Sequence, residues 1–155
     1  MIMDLSKLYK YLLVCSVMAK KYLIDTSIWI DLYEDRKGFN GEPLGDYALK
    51  LLSIIKSEEQ IVVLTDLLLR ELEMNYSLAE IKGMFKPFEN ITEKIIATKE
   101  EREEAKKVGT KRNLPPGDAL HAIIARDNKL LLITRDKHFK QLEDVSKHYK
   151  PEDII

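Results

Sequence analysis

Short runs of β-branched and aliphatic residues alternate along the chain with longer segments whose apolar positions recur at helical spacing. Lys21–Ile24, Ile61–Leu64, Ile91–Ala97 and Leu130–Thr134 read as strands. Ser27–Tyr33, Leu44–Lys56, Asp66–Asn75, Leu78–Phe85, Lys99–Lys111 and Asp118–Asp127 read as helices. Alternation of this kind predicts an α/β fold with right-handed βαβ crossovers and a parallel sheet covered on both faces. The segment Glu34–Gly45, with three glycines and a proline, is expected to be the most mobile loop. There is no internal repeat, low-complexity tract or linker.

With 155 residues and 45% hydrophobic content, the chain suffices for one well-buried core and predicts a single domain. The 25 basic residues are balanced by 26 acidic ones, so a polyanion cannot be held by bulk charge and needs a local patch or a bound metal. Cys15 stands alone, cannot form an intrachain disulfide, and points to a reducing, cytoplasmic compartment. Tyr11–Ala19 is apolar but much too short to span a bilayer, and Asp4 spoils the basic region of a signal peptide. Residues 1–19 are therefore expected to be an extension able to form a helix, with the domain occupying 20–155 and Met18 an alternative start.

Several chemistries are excluded by their missing motifs. The chain has no Gly-x-x-x-x-Gly-Lys-Ser/Thr loop, no Gly-x-Gly-x-x-Gly fingerprint and no Gly-x-Ser-x-Gly elbow. One cysteine and three scattered histidines make a poor tetrahedral zinc site. Oxygen-ligand chemistry remains, because acids recur where strand-like runs give way to helical ones. Asp25 and Asp136 follow apolar runs, Asp118 follows Pro115-Pro116-Gly117, and Glu71 lies in the segment after the second strand. Ligands of open parallel sheets collect beyond the carboxyl ends of the strands, which is where such acids lie. Each acid also has a local explanation. Asp25 and Asp136 suit helix N-caps, Asp118 suits the positive end of a helix dipole, and Glu71 competes with Glu73 on a solvated helix face.

In order, Leu23-Ile24-Asp25-Thr26-Ser27, Thr65-Asp66-Leu67-Leu68-Leu69-Arg70-Glu71-Leu72, Asp118-Ala119-Leu120-His121-Ala122 and Thr134-Arg135-Asp136-Lys137-His138-Phe139 resemble the PIN-domain family. The likeness is strongest to the small ribonucleases that act as VapC-type toxins, and it runs from about Tyr22 to the C-terminus. It implies a Rossmann-like three-layer α/β/α sandwich with four to five parallel strands. It further implies Mg²⁺- or Mn²⁺-dependent endonucleolytic cleavage of RNA, a homodimer, a cognate antitoxin and no membrane association. By the same resemblance Asp25, Glu71, Asp118 and Asp136 are the metal-site and catalytic acids. Asp25, Asp118 and Asp136 are expected to ligate metal directly or through water, and Glu71 to orient the attacking water or complete the shell. Four converging carboxylates repel one another unless a divalent cation joins them.

Ser27 and Thr134 are expected to support the acids through their hydroxyls, while Thr26 is as well explained by local capping. His138 departs from the resemblance, since many relatives carry an acid two positions after the last motif aspartate. Arg135 and Lys137 are the favoured RNA contacts, with His138 beside them. They are preferred to the basic end formed by Lys106, Lys107, Lys111 and Arg112, because Glu103 is placed to pair with Lys107. Trp29 reads as core, and His121 either reaches the pocket edge or is a structural histidine. Two alternatives are kept. One is a catalytically weak PIN-fold module that binds RNA or protein or serves RNA processing. The other is a receiver-like phosphoryl-transfer protein, disfavoured because Asp25-Thr26-Ser27 lacks a second acid.

Overall fold

The aliphatic run Lys21–Ile24 is a strand because alternate residues find apolar partners on opposite faces. Tyr22 and Ile24 enter one core, and Leu23 enters the other. The same alternation divides β2 (Ile61–Thr65), whose Val62 and Leu64 join Tyr22 while Val63 joins Leu23. In a computed structural model, which describes residues 5–7 and 20–155, these strands form the centre of a five-stranded parallel sheet. The spatial order is β3-β2-β1-β4-β5, with β3 at Thr92–Ile95, β4 at Leu131–Ile133 and β5 at His148–Tyr149. Leu23 lies opposite Val63 on one side and Leu132 on the other, so β1 is hydrogen-bonded along both edges.

Among the described residues six helices cover the sheet: α1 (Thr26–Tyr33), α2 (Leu44–Ser57), α3 (Asp66–Glu73), α4 (Leu78–Phe85), α5 (Lys99–Arg112) and α6 (Pro116–Asp127). Helices α1 to α4 pack on the face of Tyr22 and Ile24, where Trp29 is fully buried and meets Phe85 edge-on at 4.7 Å. Helices α5 and α6 cover the opposite face, so the architecture is the three-layer α/β/α sandwich that the alternation implied. From Ala119 to Ala125 every residue of α6 is buried, as expected of a helix that is apolar all round.

Local sequence fixes most element boundaries. Thr98 and Glu101 form a reciprocal capping box that starts α5, and Ser77 and Glu80 do the same for α4. Pro116 occupies the first turn of α6, where its missing N–H has no intrahelical partner to lose. The third strand is shorter than Ile91–Ala97, because residues Lys86–Ile91 form a 3₁₀ helix and pairing with β2 ends at Ile95. Its Glu93 and Lys94 are exposed on this sheet edge, where charge discourages further pairing. The loop expected to be mobile is tied down: Lys37 and Pro43 form an antiparallel bridge, and Gly38 N donates to Glu42 O at 2.8 Å. Gly41 turns this loop at φ 83°, a value that glycine adopts without the steric cost of a side chain. Of the expected N-terminal extension, residues 5–7 are helical and exposed, and the remainder lies outside the described residues.

Candidate functional site

Asp25 leaves β1 at its carboxyl end, and its N–H donates to Ile133 O at 2.9 Å, which ties it to the end of β4. It holds the N-cap position of α1, yet its side chain makes no capping bond. Oδ2 instead accepts from Ser27 Oγ and from Thr134 Oγ1, each at 2.9 Å. Local capping therefore does not explain this carboxylate. Thr134 Oγ1 also accepts from Asp136 N at 3.0 Å, so one buried hydroxyl sets the spacing between Asp25 and Asp136. Asp136 does cap: its Oδ1 accepts from His138 N at 2.9 Å and starts the 3₁₀ helix Lys137–Leu142.

Glu71 reaches the same region from α3. Thr26 donates its hydroxyl to Glu71 Oε2, and His121 Nε2 lies 3.2 Å from that oxygen and 3.6 Å from Asp25 Oδ1. Thr26 thus fastens Glu71 rather than the start of its own helix. His121 is fully buried, one turn after Asp118 on α6. A Cβ at Gly117 would stand 3.2 Å from Glu71 Oε1, closer than ordinary van der Waals contact, so glycine leaves that carboxylate undisturbed. The fourth acid, Asp118, sits next to it, with Oδ2 at 2.8 Å from His138 Nδ1; that nitrogen is also 3.2 Å from Asp136 Oδ1. All four acids come together, arranged as two triads, Asp25–Glu71–His121 and Asp118–Asp136–His138, each able to offer ligand atoms within 4.8 Å of one another.

The electrostatics join the two triads. Burial pushes the Asp118 carboxyl up to about 6, and the neighbouring charges of Asp136 and Asp25 push the same way. For Glu71 burial also acts upward, but the hydrogen bond and charge of His121 with the hydroxyl of Thr26 outweigh it and hold the carboxyl below its ordinary range. Desolvation works against a charged His121, yet Glu71, Asp25 and Asp118 together raise its pKa. A buried Asp118 whose charge is further opposed by Asp136 and Asp25, with Asp25 Oδ1 left without a hydroxyl partner, fits a divalent cation. The two imidazoles broaden the donor set beyond oxygen.

Two expectations about the surrounding cations need correction. Arg135 does not stand open to phosphate: its Nε is 2.9 Å from Asp31 Oδ2, its Nη1 is 2.5 Å from Glu152 Oε1, and only 15% of the side chain is exposed. The guanidinium is planar and forked, so it joins α1 to the C-terminal 3₁₀ turn Pro151–Asp153. Lys137, by contrast, is exposed beside Asp136. Nor does Glu103 pair with Lys107; it lies 4.0 Å from Lys99, one turn earlier on α5. Sequence reasoning undervalued Thr26 and left His121 open, although the three-residue spacing from Asp118 places His121 on a neighbouring helical position. Nothing in the sequence marks Gly117, because its role depends on a side chain 46 positions earlier.

A parallel α/β sandwich with a cluster of acids beyond the carboxyl ends of β1 and β4 defines the class of protein. The PIN domain family profile matches residues 22–145, and the chain belongs to that family of nucleases. No protein of curated function matches it. Among solved structures, it is similar to VapBC2 from Rickettsia felis bound to a DNA fragment from its promoter, at TM-score 0.62 and 15% identity, over 84% of this chain and 98% of that one. It is similar to a toxin–antitoxin complex from Klebsiella pneumoniae, at TM-score 0.57 and 17% identity, over 84% and 97%. PAE2754 from Pyrobaculum aerophilum is a further likeness, at TM-score 0.55 and 19% identity over 88% of each chain. Among the described residues, no helix is long and apolar enough to cross a membrane.

Proposed function

We propose that this protein is a metal-dependent endoribonuclease acting as the toxin of a toxin–antitoxin pair. The observation that carries the reading is the convergence of Asp25, Glu71, Asp118 and Asp136, which leave four different parts of the chain, with Asp25 fixed through one oxygen only. Asp25, Asp118 and Asp136 would hold Mg²⁺ or Mn²⁺, with His138 adjoining the last two. When bound, such a cation polarises a phosphate oxygen and makes water a stronger nucleophile near neutral pH. Ser27 and Thr134 orient Asp25 by occupying its Oδ2, which leaves Oδ1, 3.6 Å from His121 Nε2, free of hydroxyl donors. Glu71, held by Thr26 and His121, orients the attacking water or completes the cation's shell. Lys137 contacts a phosphate beside the reacting one.

An antitoxin partner is supported by the fold likeness to two toxin–antitoxin complexes, and a homodimer by the resemblance in the motifs. The test is cleavage of a panel of labelled RNAs, including tRNA and structured rRNA fragments, with Mg²⁺, Mn²⁺ or EDTA, beside Asp118→Asn purified identically. Metal-dependent cutting that the variant lacks is the expected result. Equal cutting by both proteins would remove Asp118 from the chemistry and sink the assignment.

A further inference from the structure

The acid cluster is a poor landing place for a polyanion unless positive charge flanks it, and the near-zero net charge of the chain supplies none in bulk. The arginines near it are already engaged. Arg135 is held by Asp31 and Glu152, Arg102 by Asp66, Arg112 by Asp144 and Arg126 by Glu104. Lys106, Lys107 and Lys111 differ: all three are exposed on α5, and among the described residues none has an acidic partner. Lys107 and Lys111, four residues apart, share one helix face, and Lys106, about 100° round the helix from Lys107, borders the same surface depression.

Two adjoining surface depressions lie between this row and the acids. The inner one, about 260 Å³, is lined by Leu67, Pro116, Gly117 and Lys106 among others. Gly117 is the residue whose Cβ would press on Glu71, and it immediately precedes Asp118. The outer one, about 400 Å³, is lined by Lys106, Lys107, Thr110 and Lys111. Lys106 borders both, so the two adjoin at its side chain, and Gly117 places the inner one next to Glu71 and Asp118.

We infer that these depressions carry the RNA strand to one side of the cleaved phosphate, with Lys106, Lys107 and Lys111 contacting successive backbone phosphates; the inference rests on the ribonuclease reading. The rise from Lys106 to Lys111, five positions along the helix, is about 7.5 Å, which is room for two phosphates within reach of long, flexible ammonium side chains. Contacts of this kind position the strand without reading bases, so they act on substrate binding and leave the chemical step alone. A protein partner with an acidic segment would meet the same charges, but only a strand with its reacting phosphate at Asp118 has a use for the depression that brings Lys106 alongside Gly117, next to Asp118 and Glu71.

The experiment is steady-state cleavage of a labelled, mixed-sequence single-stranded RNA by the wild type and by the triple variant K106E/K107E/K111E, across a salt series. Melting temperatures are taken with and without Mn²⁺, and Lys→Gln at the same positions replaces the triple charge reversal should that variant fail to fold. The expected result is a KM raised about tenfold or more at low salt, a kcat within twofold, and a Mn²⁺-induced rise in melting temperature equal to that of the wild type. The dependence of log KM on log salt should weaken by about 0.7 for each phosphate that the variant no longer neutralises. An unchanged KM and salt slope would overturn the track while leaving the nuclease assignment intact. So would RNA kinetics that stay the same while binding of poly-glutamate is lost, which would give the depressions to an acidic protein segment. A wild type that neither cleaves nor binds RNA would overturn the ribonuclease reading and the track together.

Discussion

Replacing Asp118 by Asn should stabilise the metal-free protein and destroy its response to metal. The folded-state carboxyl sits at about 6 against an ordinary value of 3.8, chiefly because it is buried and secondarily because Asp136 and Asp25 repel its charge. A displacement of about two pH units, at about 1.4 kcal/mol each, sets an upper bound of about 3 kcal/mol for the cost of the ionised form at pH 8. The side chain is 15% exposed, and Asn keeps an acceptor for His138, so about 1–2 kcal/mol is the expected gain. For a domain of this size that is a rise of roughly 3–6 °C in melting temperature. The pH dependence has a definite sign. A carboxyl whose folded pKa lies above its unfolded one is a liability once both states are ionised and none when both are protonated. The advantage of Asn should be complete above about pH 7, shrink through 6 and vanish near pH 4. With Mn²⁺ at about 100 times its dissociation constant the wild type gains about 2.7 kcal/mol, and the order of the two proteins reverses. Calorimetry in EDTA and in Mn²⁺ at pH 8, 6 and 4 tests each step. A variant no more stable than the wild type in EDTA at pH 8 refutes the crowding argument, and one that gains equally from Mn²⁺ removes Asp118 from the cation site.

Three other outcomes follow from the geometry of the site and its surroundings. Gly117→Ala places a methyl carbon 3.2 Å from Glu71 Oε1, and since Thr26 and His121 restrain that carboxylate, kcat should fall about tenfold with little change in stability; unimpaired cleavage would mean Glu71 yields without cost. Asp31→Ala leaves the Arg135 guanidinium buried with one acid partner instead of two, and urea unfolding should register a loss of about 3 kcal/mol. A loss below about 1 kcal/mol would show the tie between α1 and the C-terminal turn to be ornamental. His138→Asp replaces an imidazole beside Asp118 and Asp136 by a third carboxylate, so calorimetric affinity for Mg²⁺ should rise relative to Mn²⁺; an unchanged ratio would exclude His138 from the cation's surroundings.

Periodicity and junction chemistry carried the sequence reading a long way. The spacing of Leu23, Val63 and Leu132 among their neighbours determined a sheet buried on both faces, because a strand with one solvated face would have alternated with polar residues. The acids at Asp25, Asp118 and Asp136 were legible because such sheets open their pockets where strands end. What the sequence could not decide was partnership at a distance. Strand β5 is two residues long and has no pattern of its own; it exists because β4 offers a free edge to His148 and Tyr149. The sequence favoured Arg135 over Lys107 as a contact for RNA, and only the packing of Asp31 and Glu152 against the guanidinium takes Arg135 away from the open surface. Thr26 and Gly117 gained their roles from a glutamate on another helix. Hydrophobic order is written locally because burial is decided face by face along each element. The pairing of charges and hydroxyls is decided by which elements meet, and that is a property of the folded chain alone.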